Sequence, residues 1–331
     1  MSRAADAPPA ATDHPIRWRG RTYPCRTVMP HHSPSATPLL ILSGGLQTRL
    51  SWARLERHLA PLRPLVIPDL PPARSPGTRL GTESLTWDDL TDAALSAADH
   101  LGIQQFAVLG VSSGFPIAYR LAQQHPDRIT DLMLFGAAPH PGPRLTALIH
   151  EGLRRETASA PPQRDHGRTT GAAPSDGAAP DPGSHREVAE RLVSVLTNPR
   201  AGRHCLMIRA AARVMLTQLT ASPQDPLVRY IADRGHLLLS TPLPPGGIRS
   251  VRALVGVGEH DTVTPVDDNR AVAATIDNAT FIVMNNADHL LHMERDADFA
   301  DVITRFLHHR PLTTPDTVVV TTASNTPLIL P

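Results

Sequence analysis

The chain contains no lysine; all 32 of its basic residues are arginine. That absence excludes a lysine Schiff base, a P-loop lysine and Ser–Lys catalysis. A GC-rich coding sequence accounts for the bias without a functional cause. Cysteine is almost as scarce, at two residues, Cys25 and Cys205. Two are too few for a disulfide framework and show no metal-ligand spacing, so a reducing cytoplasm is the expected compartment. No apolar run approaches the length of a membrane span, and residues 1–14 lack the apolar core of a signal peptide. With 32 basic against 31 acidic residues the formal net charge is only +1, so neither nucleic acid nor an anionic membrane is implied as a partner. The adjacent pairs His31-His32 and His308-His309 fall at a loop and a helix end, where such pairs are usually solvated. They are assigned no metal, and no cofactor is implied.

What is present centres on Gly110-Val111-Ser112-Ser113-Gly114. Phe106 to Leu109 precede it as a short apolar block suited to a buried strand. Phe115, Ile117, Ala118, Leu121 and Ala122 follow at the spacing of a helix packed on that strand. A Gly-x-Ser-x-Gly at a strand-to-helix reversal is a nucleophile elbow, in which a strained serine points its Oγ into a cleft. Covalent acyl chemistry is the expectation.

Around the elbow the pattern alternates strands with amphipathic helices. Residues 15–30 suit an antiparallel hairpin about Gly20. Pro38–Leu42 and Leu65–Ile67 read as strands with a helix over Trp52–Leu62 between them. Thr86 is placed to cap a helix carrying Leu90, Ala94, Ala97 and Leu101 on one face. Strands recur near Asp131–Gly136, Ala253–Val257 and Thr280–Met284, and a closing helix carries Phe299, Val302, Ile303 and Phe306. Such alternation predicts a mainly parallel sheet flanked by helices. The expected organisation is a disordered N-terminus over 1–14, a core over 15–140 and 246–310, a helical lid over 141–245, and a tail over 311–331. Within the lid, residues 158–184 have almost no aliphatic content and are expected to be disordered.

A nucleophilic serine needs a base and an orienting carboxylate. After the Val257 strand comes Gly258-Glu259-His260-Asp261-Thr262-Val263-Thr264-Pro265, and after the Met284 strand Asn285-Asn286-Ala287-Asp288-His289. The chain order Ser112, Asp261, His289 matches that of α/β-hydrolases. From about Ile16 to His309 the chain resembles that family, and in particular members found in natural-product biosynthetic clusters. The resemblance implies an α/β-hydrolase fold with Ser112 as nucleophile, Asp261 as orienting acid and His289 as base. Asp288 is the rival acid, but its adjacency to His289 aims it poorly. His292 is read as a surface or supporting residue.

The resemblance also implies an oxyanion hole from the N–H groups of Ser113 and Gly45. Gly45 belongs to Ser43-Gly44-Gly45, with Trp52 at the family's usual spacing. Leu46 and Gln47 beside it are candidates for the substrate pocket. Ser43 and Val111 stand where relatives often carry histidine, and residues 69–75 lack the usual glycine-rich turn. The expected activity is hydrolysis of an ester, thioester or lactone of a small-molecule acyl substrate. An acyltransferase or cyclase using the same acyl-enzyme, and a non-catalytic binding scaffold, are the alternatives. Arg209 and Arg213, one helical turn apart, read as a solvent face, with contact to a carrier-protein or CoA thioester as the minority reading.

Overall fold

A computed structural model of the chain describes residues 9–30, 36–74, 84–159, 182–240 and 242–320. Its frame is a nine-stranded sheet in the order β1-β2-β4-β3-β5-β6-β7-β8-β9. The strands are β1 Ala10–Trp18, β2 Arg21–Met29, β3 Leu39–Leu42, β4 Leu65–Pro68, β5 Phe106–Val111, β6 Ile129–Phe135, β7 Arg252–Gly258, β8 Thr280–Met284 and β9 Thr317–Val320. From β4 through β3 to β8 every pairing is parallel, whereas β1, β2 and β9 pair antiparallel at the two edges.

The central strands are apolar at every position because both faces are covered. Leu40, Leu42, Val108, Leu134 and Val255 pack on one side with residues of α2 (Trp87–His100), α3 (Phe115–Gln124) and α8 (Val266–Ala273). Leu39, Ile41, Leu109, Phe135 and Leu254 face the other side, against α1 (Ala53–Leu59) and α10 (Asp296–Leu307). The period-two alternation of β3 thus divides four consecutive aliphatic residues between two cores. Thr86 caps α2 as expected, in a reciprocal capping box with Asp89. The adjoining strands β3 and β5 send their following segments to opposite sides, to β4 and to β6, so a crevice opens at their C-terminal ends.

Two boundaries differ from the sequence expectation. Residues 10–14 are not disordered but form the first half of β1. They are mostly exposed and gain order from main-chain pairing with β2, in register set by the Arg19-Gly20 turn, where both residues have positive φ. Such a two-residue turn matches the strand twist and extends the ladder beyond the buried Ile16 and Trp18. The second difference lies in the 158–184 segment. Helix α4 (Pro143–Ser159) continues to Ser159, and α5 (Pro182–Leu196) starts at Pro182, a residue pre-organised for the first helical position. The intervening 160–181 lie outside the described residues, as do 1–8, His31-His32 and 321–331. Of the tail, Thr317–Val320 forms an edge strand on β8.

Helices α4, α5, α6 (Leu206–Thr220) and α7 (Pro226–Asp233) are inserted between β6 and β7 and share their own apolar cluster. Val263 and Leu290 of the sheet's C-terminal loops join that cluster, so the insertion sits over the crevice. Its far side is fastened by the loop after β4. Ala73 and Arg74 N–H groups donate to Asp233 and Ala232 carbonyls, and the Arg74 guanidinium forms a buried ion pair with Glu156 of α4. Among the described residues no helix is long and apolar enough to cross a membrane.

Removing one partner of a buried ion pair strands the other charge. Glu156→Ala is therefore expected to destabilise the protein by about 3 kcal/mol. A urea unfolding curve checks this; an unchanged midpoint would mean that the insertion does not depend on the pair.

Candidate active site

Ser112 stands at the end of β5 with φ of 51°, in the left-handed region that a serine occupies only under constraint. The constraint is the reversal into α3. A Cβ built on Gly114 would lie 2.1 Å from the Leu42 carbonyl oxygen, so only glycine lets the helix start this close to β3. Ser112 is half-buried, and its Oγ lies 3.0 Å from His289 Nε2. On the other side of the ring, His289 Nδ1 lies 2.8 Å from Asp261 Oδ2. With Nδ1–H donating to the carboxylate, Nε2 is left to accept the serine hydroxyl proton.

Asp261 is held by its own loop. Its Oδ1 accepts the N–H groups of Val263 (2.8 Å) and Thr264 (2.9 Å), and the Thr264 hydroxyl donates to Oδ2 at 2.8 Å. The three sequence-derived residues from three distant loops therefore converge at the C-terminal rim of the sheet. Thr264 was not singled out from sequence. The signal was there, a threonine three residues after an aspartate, where a side chain closes a turn on its own backbone.

His289 is buried, which by itself disfavours the imidazolium. The charge and hydrogen bond of Asp261, with Asp288 and Glu294 behind, outweigh that and hold its pKa above the ordinary histidine value. Asp288 is no rival for the acid. Its Oδ2 accepts the N–H of Asn198, between the insertion's helices α5 and α6, while its own N–H donates to Glu294 at 2.6 Å. Burial raises the pKa of Asp288 to about 6 and of Glu294 to about 7.

The loop after β3 lies against Ser112 and Ser113. A Cβ on Gly44 would come 3.2 Å from Ser112 Cβ, and one on Gly45 would come 3.6 Å from Ser113 Oγ. Gly44 N–H is already engaged, donating to Gln47 Oε1 at 2.7 Å. The amide nitrogen of Gln47 in turn donates to His292 Nε2 at 2.6 Å. His292 is not a surface residue; it is 3 % exposed, lies 4.7 Å from the Trp52 ring, and burial lowers its pKa to about 3. A neutral imidazole accepting at Nε2 fixes the Gln47 amide with its oxygen toward Gly44. Trp52 Nε1 donates to Ser43 Oγ at 2.9 Å and secures the loop's other end. Gln47 thus lines the site and also shapes the loop.

The cavity around Ser112 is lined by Gly45, Gln47, Leu196, Met215, Tyr230 and Leu290 among others, and holds only about 20 Å³. The insertion's Leu196, Met215 and Tyr230 form its roof. Leu46 lies outside it and lines neighbouring cavities instead. Arg209 and Arg213 are exposed. Among the described residues no group of three or more His, Cys, Asp or Glu side chains is placed to hold a metal.

A family model described as alpha/beta hydrolase fold matches residues 37–296. The chain belongs to the α/β-hydrolase family. Among curated relatives of this hydrolase, a 2-hydroxymuconate semialdehyde hydrolase of Pseudomonas sp. strain CF600 is 24% identical over 280 residues, 84% of this chain and 89% of that protein. A thermophilic esterase from Thermogutta terrifontis superposes with a TM-score of 0.64 at 19% identity, over 90% of this chain and 98% of that one. An enol-lactonase from Burkholderia xenovorans LB400 gives 0.60 at 20% identity, over 86% and 97%.

The Gln47–His292 contact makes a specific expectation. His292→Leu leaves a buried amide without an acceptor and should lower kcat about tenfold, less than the 10²–10³ typical of losing an oxyanion donor outright. His292→Asn, which restores an acceptor, should recover part of that loss. Equal kcat for the two variants would show that the contact does not shape the loop.

Proposed function

We propose that this α/β-hydrolase cleaves a carboxylic ester, thioester or lactone through an acyl-enzyme on Ser112. The observation that carries the reading is the unbroken hydrogen-bond chain from Ser112 Oγ through His289 to Asp261, at 3.0 and 2.8 Å. His289 takes the serine proton as Oγ attacks the carbonyl carbon, and Asp261 holds the tautomer and stabilises the imidazolium. The N–H groups of Gly45 and Ser113 receive the developing oxyanion. With Gly44 N–H occupied by Gln47, the next N–H along the loop is the one assigned, and Ser113 lies in the short helical turn, Ser112–Gly114, that leads into α3. The imidazolium then protonates the leaving alcohol or thiol, and a water deprotonated by the same imidazole releases the acid. The esterase and the enol-lactonase among the structural neighbours are in keeping with this bond class. The partner is a small-molecule acyl substrate, free or carried as a thioester.

A fluorophosphonate probe should label the wild type and not Ser112→Ala; labelling of both would remove Ser112 from the mechanism. Asp261→Asn should lower kcat by about 10⁴, because the wrong tautomer is then favoured at His289.

The pH profile follows from His289. Only the neutral ring accepts the serine proton, so kcat/KM rises as pH climbs through the pKa of His289. Since that pKa is raised, the midpoint should lie on the alkaline side of the ordinary histidine value of about 6.5. Glu294→Gln removes one of the raising carboxylates and should move the midpoint toward acid. A shift toward alkali would contradict the electrostatic assignment.

A further inference from the structure

The space around Ser112 is about 20 Å³, enough for roughly one water and too small for an acyl group. A cavity of about 370 Å³ lies beside it, between the loop after β3 and the end of α7, and Gln47 lines both. A third space of about 40 Å³, lined by Gly45, Leu46, Gln47, Met215 and Arg229, lies alongside. Consecutive residues of α7 divide the job: Tyr230 lines the nucleophile's cavity and Arg229 lines the other two.

The large cavity has apolar walls from Leu46, Pro68 and Leu70 and a polar end with Arg229 and Arg234. Its two carboxylates are already neutralised. Asp69 accepts from Arg49 Nη1 at 2.6 Å, and Asp233 pairs with Arg234 at 3.3 Å. Arg229 is half-buried and, among the described residues, has no carboxylate within ion-pair distance. Arg234 is only 4 % exposed, and its Nε has no acceptor. Arg229 therefore brings to the cavity a half-buried guanidinium that no carboxylate among the described residues neutralises. Planar N–H forks in that state are best satisfied by a carboxylate.

We infer that this cavity is a subsite for a carboxylate carried on the substrate, with the carbon chain against Leu46, Pro68 and Leu70 and the anion on Arg229. The inference rests on the ester-cleaving reading and narrows it to anionic substrates. The carboxylate is carried either on the acyl part, as in a dicarboxylic acid monoester, or on the alcohol part, as in an ester of a hydroxy acid.

Two pairs of esters separate these sources. The first pair is para-nitrophenyl adipate monoester and its methyl ester. The second is the hexanoyl ester of para-hydroxybenzoate and that of methyl para-hydroxybenzoate. In one pair the wild type should favour the anionic member by about tenfold or more in kcat/KM, as charge-assisted hydrogen bonds allow. Arg229→Gln should collapse that ratio toward one, and Arg229→Lys should retain part of it. Binding is read without turnover by calorimetry on Ser112→Ala protein with monomethyl adipate and the hexanoyl ester of para-hydroxybenzoate. Adding Arg229→Gln should weaken binding of at least one of them about tenfold. A wild type that favours the neutral ester in both pairs overturns the inference. So does an Arg229→Gln that changes neither ratio nor binding. Carboxylate binding without fluorophosphonate labelling would sink the hydrolase reading and leave the subsite standing.

Discussion

The structure turns on one strained residue. Ser112 occupies a left-handed backbone conformation that a serine does not choose, and strain of this kind costs on the order of 1–3 kcal/mol. It persists because β5 is hydrogen-bonded between β3 and β6 and because α3 is pressed against the Leu42 carbonyl at Gly114. A side chain at Gly114 would push the helix away and relax the turn, and Oγ would leave its place beside His289. The strain is held by the whole central sheet, with the two apolar cores on its faces.

The second constraint is electrostatic. His289 is buried with three carboxylates near it, yet only Asp261 faces its Nδ1. Asp288 and Glu294 are turned into the loop's own backbone and toward the insertion, where Asp288 holds Asn198. The same acidic group that helps to raise the histidine's pKa also ties the helical insertion to the histidine's loop. Placement of the roof and tuning of the imidazole therefore share atoms.

Much of this was legible in the sequence because local chemistry is repeated at fixed spacing. The aliphatic strands, the Thr86 cap, the Gly-x-Ser-x-Gly turn and the order of Ser112, Asp261 and His289 each carry a local requirement that few residue types meet. Less legible were residues 10–14, whose exposed side chains give no burial pattern. Their order comes from backbone pairing, and backbone groups are the same in every sequence. His292 was half legible. The sequence left it as either a surface or a supporting residue, and only Trp52 and Gln47, distant in sequence by more than two hundred residues, decide for the second.

By itself the sequence determined the fold class, and it named Ser112, Asp261 and His289, in that chain order, as the side chains that meet at the rim of the sheet. These follow from periodicity, turn chemistry and the few residue types able to act as nucleophile, base and acid. Tertiary structure alone decided that His292 is buried against Trp52 and Gln47, how little room lies over the serine, and that Arg229 rather than Arg209 or Arg213 lines the neighbouring cavity. The last two outcomes depend on how the helical insertion packs over the sheet edge. Packing sums many weak contacts between segments far apart in sequence, and no local pattern encodes that sum.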